Sequence, residues 1–98
     1  METVSEHKEL FEKITAFLKK EGATKISVFG SYARGEEKTE SDIDILVEFF
    51  NTKSLLTMVR IERELSDFLG VKVDLLTEDS ISSYLIDEIK NEAKVIST

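Results

Sequence analysis

Cysteine is absent from this 98-residue chain, which removes disulfides, thiolate nucleophiles and cysteine-based zinc sites from consideration. Histidine occurs once, as His7, so no histidine cluster is available to hold a metal. Nowhere do about 18 uninterrupted apolar residues occur, as a membrane span requires, and no basic segment followed by an apolar run opens the chain. No membrane association is expected, and a cytoplasmic location is the default. Proline, repeats and low-complexity tracts are all missing, and no stretch resembles an interdomain linker. Basic residues are in the minority, 13 against 20 acidic ones, for a net charge of −7. That field repels long nucleic acid, whose binding depends on neutralising phosphates. A nucleoside triphosphate is not excluded, because it arrives with magnesium and meets a local pocket rather than the mean field.

What remains is the composition of a folded domain, 41% hydrophobic and 34% charged. The length suits one modest core, so residues 1–98 are expected to form a single domain with no room for a separate substrate domain.

Apolar periodicity outlines the elements. Between about Val4 and Lys20, Leu10, Phe11, Ile14, Phe17 and Leu18 recur at helical spacing, with Gly22 as the stop. Lys25 to Phe29 reads as a strand entering Gly30, and Ser31 to Arg34 as one helical turn capped by the Ser31 side chain and ended by Gly35. A charged loop runs from Glu36 to Glu40. In the strand from Asp42 to Phe49, Ile43, Ile45 and Val47 share one face, and Asp42, Asp44, Leu46 and Glu48 the other. Ser54 caps a helix with the stripe Met58, Ile61, Leu65, Phe68 and Leu69, ended by Gly70. A third strand, Val71 to Leu76, puts Val71, Val73 and Leu75 on one face and Asp74 on the other. Ser80 is expected to cap a last helix carrying Ile81, Leu85 and Ile89, and Lys94 to Ser97 forms a terminal strand. The order α, β, α, β, α, β, α implies an α/β (α+β) fold.

Asp42 and Asp44, two residues apart on a strand, sit about 6 to 7 Å apart and lean to one side. Asp74 precedes Leu76 as Asp44 precedes Leu46, so if the strands are neighbours the three acids converge. Clustered carboxylates repel unless a cation occupies the site. Magnesium prefers oxygen ligands and is shared readily between carboxylates and phosphates, as phosphoryl or nucleotidyl transfer requires. On the opposite side, Gly30 admits close backbone approach, Ser31 adds a hydroxyl, and Arg34 offers a fork of donors toward phosphate.

Gly30-Ser31, ten residues, then Asp42-Ile43-Asp44 resembles the G-S-x10-D-x-D signature of the DNA polymerase beta-like nucleotidyltransferases. The wider stretches Val28 to Gly35 and Ser41 to Val47 look like the minimal, MNT-type members, and Asp74 stands where that family's third carboxylate is expected. The resemblance covers roughly Lys25 to Leu76. Either half of the signature is common by chance, whereas both at this spacing with an acid downstream are far more specific. It implies a small mixed β-sheet with helices packed on it, a palm-like nucleotidyltransferase fold. It further implies that Asp42, Asp44 and Asp74 hold two Mg2+ ions and that Gly30 and Ser31 hold the triphosphate. Minimal members resemble one half of a pair whose other half is a helical HEPN protein, often a toxic ribonuclease restrained by AMP added to a tyrosine. The expected function is therefore transfer of AMP from ATP to such a partner, as an antitoxin.

Plainer readings stand beside these. A lone acid at a strand end is usually solvated, and Gly30-Ser31 also serves as an ordinary strand-to-helix turn. Arg34 either meets phosphate or pairs on the surface with Glu36 or Glu37. Tyr32 reads as an exposed turn residue, His7 as a surface residue of the first helix, and Ser41 as shaping the loop before the acids. Of Phe49 and Phe50, one faces solvent if the strand continues, where it would suit a partner or a homo-oligomer. An alternative function is a nucleotide-binding antitoxin that neutralises its partner by occlusion without catalysis. A purely structural interaction domain would bind no triphosphate.

Overall fold

Ile43, Ile45 and Val47 are fully buried while Asp44 between them is only half-buried, so the alternation expected of the central strand is realised. The computed structural model describes residues 3–36 and 42–98. In chain order the elements are α1 (Thr3–Lys20), β1 (Ala23–Phe29), α2 (Ser31–Arg34), β2 (Ile43–Phe49), α3 (Leu55–Leu69), β3 (Val73–Leu76), a 3-10 turn (Glu78–Ser80), α4 (Ser83–Glu92) and β4 (Lys94–Ser97). The strands form one sheet in the order β3-β2-β1-β4. β1 runs antiparallel to both β2 and β4, and β2 runs parallel to β3. This mixed sheet with helices is the expected α/β (α+β) architecture.

One face of the sheet carries the core. Ile26, Ile43, Ile45, Val47, Val73 and Leu75 pack with Ile14 and Leu18 of α1 and Ile61 and Leu65 of α3. Each such aliphatic side chain contributes about 1.5–3 kcal/mol when fully buried. Leu10, Phe11, Met58 and Leu69 border the cluster, while Phe17 and Phe68 stack on each other at 5.7 Å beside it. The opposite face receives Ser27, Phe29, Asp44, Leu46, Asp74 and Leu76, because the register pairs Ser27 with Leu46, Phe29 with Asp44, and Asp44 with Asp74.

The structure corrects several local expectations. Ser31 is the first residue of α2 rather than its cap; Gly30 holds the cap position and offers no side chain. Ser80 belongs to the 3-10 turn, where its hydroxyl donates to the Thr77 carbonyl at 2.8 Å. Ser82 caps α4 instead, accepting from the Tyr84 N–H. β3 begins at Val73, two residues later than the apolar alternation suggested. The stripe Ile81, Leu85 and Ile89 does not enter the core, since α4 has no buried residue and Leu85 is 51% exposed. Tyr32 is half-buried against the core rather than exposed, and its ring lies 5.2 Å from that of His7, which also approaches Phe11. Phe49 packs on the core while Phe50 is 80% exposed. Ser41 and residues 37–40 of the charged loop lie outside the described residues. Among the described residues no helix is long and apolar enough to cross a membrane.

Candidate active site

Strand topology brings the acids together. Because β2 and β3 are parallel neighbours in register, Asp44 and Asp74 occupy opposite positions on the same face. Burial, reinforced by the charge and side chain of Asp74 and then by Asp42 and Glu92, pushes the Asp44 carboxyl up to about 6. Asp42 stands one residue before β2, half-buried, with Lys72 Nζ 3.8 Å from its Oδ2. Thus Asp44 and Asp74 are cross-strand neighbours, while Asp42 lies within electrostatic reach and is shared with a surface lysine.

β3 is an edge strand, and α3 seals its outer side. The Ser66 hydroxyl donates to the Glu62 carbonyl at 2.8 Å and accepts from the Val73 N–H at 3.0 Å; Glu62 Oε2 accepts from the Leu75 N–H at 2.8 Å. Two helix side chains thereby satisfy the backbone groups on either side of Asp74. The amphipathic pattern of α3 gave no hint of this, because both residues lie off the apolar stripe.

Gly30 closes the other side of Asp44. The β1–β2 register sets Phe29 opposite Asp44, so the chain turns directly beside that carboxylate. A Cβ on Gly30 would collide with the Asp44 side chain, and Gly30 adopts φ 74 and ψ −150, a backbone geometry that glycine alone adopts readily. Its carbonyl accepts from the Ala33 and Arg34 N–H groups, both at 3.1 Å. Ser31 follows, half-buried.

Arg34 is gripped by two carboxylates. Its Nε donates to Glu36 at 2.8 Å and its Nη1 to Glu92 at 2.5 Å. The surface pairing with Glu36 weighed from the sequence is present, and a second partner comes from 58 residues away. Glu92 Oε1 also accepts the Gly30 N–H at 3.0 Å. The bonds from Arg34 and from Gly30 hold the Glu92 carboxyl below its ordinary value, so it is ionised. Sequence reasoning missed Glu92. The available signal was the terminal strand: β4 pairs Val28 with Lys94, and extending that antiparallel register by two residues sets Glu92 level with Gly30.

A crowded carboxylate pair, one member pushed up to about 6, is a donor set whose repulsion a divalent cation would relieve. Asp44, Asp74 and the nearby Asp42 therefore fit such an ion. Among the described residues, no three acidic or histidine side chains are already closed into a metal-binding group. Among the described residues, two clefts lie away from the acids: one at the far end of β2 beside Phe49, Lys53 and Met58, the other between α1 and β4.

Residues 9–96 match the model of the nucleotidyltransferase domain family. The protein adenylyltransferase MntA of Thermococcus cleftensis is 44% identical over 72% of each chain. A candidate protein adenylyltransferase of Methanocaldococcus jannaschii is 54% identical, spanning 87% of this chain and 91% of that one. Among solved structures, a toxin–antitoxin crystal structure with AMP-PNP has a chain that superposes with a TM-score of 0.82 at 28% identity. That match covers 90% of this chain and 73% of the other. An MNT antitoxin complex with a tri-AMPylated HEPN toxin of Shewanella oneidensis gives 0.73 at 26% identity, covering 90% and 70%. With the Gly30-Ser31 turn packed against in-register acids and the family model spanning nearly the whole chain, this protein belongs to the nucleotidyltransferase domain family and is of its minimal, MntA-like kind.

Proposed function

We propose that the chain transfers AMP from ATP to a hydroxyl of a protein acceptor, a tyrosine of a HEPN-type toxin, and so acts as an antitoxin. The observation that carries this reading is the in-register pair Asp44 and Asp74 with Gly30 packed against Asp44. That arrangement sets a carboxylate side and a donor side next to each other. The adenylyltransferase name of the Thermococcus relative and the AMPylated toxin in the Shewanella complex support the transferred group and the partner class.

Asp44 and Asp74, with Asp42 beside them, would hold Mg2+, two ions in the full assembly. When bound, magnesium neutralises phosphate charge and lowers the pKa of an acceptor hydroxyl. The Gly30-Ser31 turn and Arg34 orient the triphosphate. The acceptor oxygen attacks the alpha phosphorus in line, the bond to the bridging oxygen breaks, and pyrophosphate leaves. Asp74, in register beside Asp44 on the same face, takes the hydroxyl proton as the nearby carboxylate.

The test is a transfer assay with alpha-phosphate-labelled ATP, magnesium and a co-purified HEPN-type toxin. Label on the toxin, lost when its tyrosines are replaced by phenylalanine, supports the reading. A second reading is inhibition by occlusion, favoured by the fact that similar chains are found assembled with their toxins. An Asp42→Asn/Asp44→Asn variant separates the two. Toxin inhibition that survives in this variant means occlusion; inhibition lost with binding retained means catalysis.

A further inference from the structure

Glu92 ends α4 with one carboxylate oxygen on the Gly30 N–H and the other on Arg34. We propose that Glu92 is a positioning residue for nucleotide binding: its bridge to Gly30 and Arg34 holds the turn beside Asp44 in the shape the triphosphate meets. The inference rests on the nucleotidyltransferase reading and adds to it a residue from the far end of the chain.

A glycine has the widest backbone freedom of any residue, so its conformation at φ 74 and ψ −150 persists only where partners hold it. The Gly30 carbonyl is held by the next turn, and the N–H side is held by Glu92 alone among the described bonds to that group. Removing Glu92 would leave a hinge one residue before Ser31. Arg34 gains in the same way. A long, flexible side chain is fixed when Glu36 takes Nε and Glu92 takes Nη1.

The alternative is that Glu92 merely fills the place of the substrate's phosphate. Two features argue for positioning. Glu92 is delivered by the sheet, since Ala93 and Lys94 follow directly into β4 against β1, so its place is set by backbone pairing. The guanidinium carries five N–H donors, and the two bonds named leave others for phosphate. On this account the Gly30 N–H is structural, and the triphosphate is met by Ser31 and the remaining Arg34 donors.

Full-length Glu92→Ala and Glu92→Gln variants test the proposal through two readouts, hydrogen exchange at the Gly30 amide and calorimetry with Mg2+ and AMP-PNP, both well below the melting temperature. Glu92→Ala is expected to accelerate Gly30 exchange and weaken nucleotide binding about tenfold, the size of one lost charge-assisted hydrogen bond. Glu92→Gln, whose amide oxygen still accepts from Gly30 but whose NH2 cannot accept from Arg34, is expected to keep Gly30 exchange near native, recover only part of the binding, and serve as the folded comparison if the alanine variant unfolds. Unchanged or tighter nucleotide binding in both folded variants would overturn the proposal while leaving the nucleotidyltransferase reading intact. Absence of binding by the native chain would instead remove that reading, and the nucleotide role of Glu92 with it.

Discussion

Asp44 and Asp74 stand opposite each other across the parallel β2–β3 ladder, on the face of the sheet turned away from the core, and the charge of Asp74 helps to raise Asp44. Two acids placed so closely are unfavourable for an empty, fully ionised protein, and that cost is measurable.

Asp44 rises from its ordinary value of 3.8 to about 6 in the fold, so between those values the folded state binds more protons than the unfolded one. Stability contributed by protonated Asp44 is fully present below pH 3.8 and is lost as pH rises through about 6. Urea denaturation of the native chain and of Asp44→Asn at pH 4, 5, 6 and 7 should therefore show the variant gaining on the native protein across that range. Magnesium above pH 6 should narrow the gap. Parallel pH profiles would contradict the crowded pair.

Replacing Gly30 with alanine forces a side chain into the Asp44 carboxylate and strains a positive φ. A cost of about 1–3 kcal/mol is expected, read as a lower urea midpoint at unchanged slope. Nucleotide binding should fall further than stability, since the turn and Asp44 move apart together. An alanine variant as stable as the native chain would show that the turn is looser than described.

Glu62 and Ser66 hold the outer edge of β3. Glu62→Ala leaves the part-buried Leu75 N–H without its acceptor and should cost about 1–3 kcal/mol. Amide exchange should quicken at Val73 to Leu76 before it quickens in β1. Uniform protection across the sheet in this variant would mean that water replaces the carboxylate without loss.

Most of this architecture was legible in the sequence because burial follows periodicity. Ile43, Ile45 and Val47 announce the face of β2, and Ile61 and Leu65 that of α3. The Gly30-Ser31 to Asp42-Ile43-Asp44 spacing pointed to a candidate site by its resemblance to the nucleotidyltransferases, and the fold sets both halves on adjoining strand ends. What escaped depended on contacts between distant segments. Glu92 is one acid among many in the sequence, and only the pairing of β4 with β1 sets it beside Gly30. The stripe of α4 misled because periodicity reports a helix but not whether a partner covers it: Tyr84 and Leu85 remain exposed. Ser80 and Ser82 are equally good caps by type, and the choice fell to the one whose hydroxyl was not already engaged by Thr77.

The central claim is that Asp44 and Asp74 together hold a magnesium-bound nucleotide. Calorimetric titration of AMP-PNP into the native chain and into Asp44→Asn/Asp74→Asn, each with and without magnesium, tests it most directly. Binding by the native chain that requires magnesium and disappears in the double variant is the predicted result; no binding by the native chain, or equal binding by both proteins without magnesium, would contradict it.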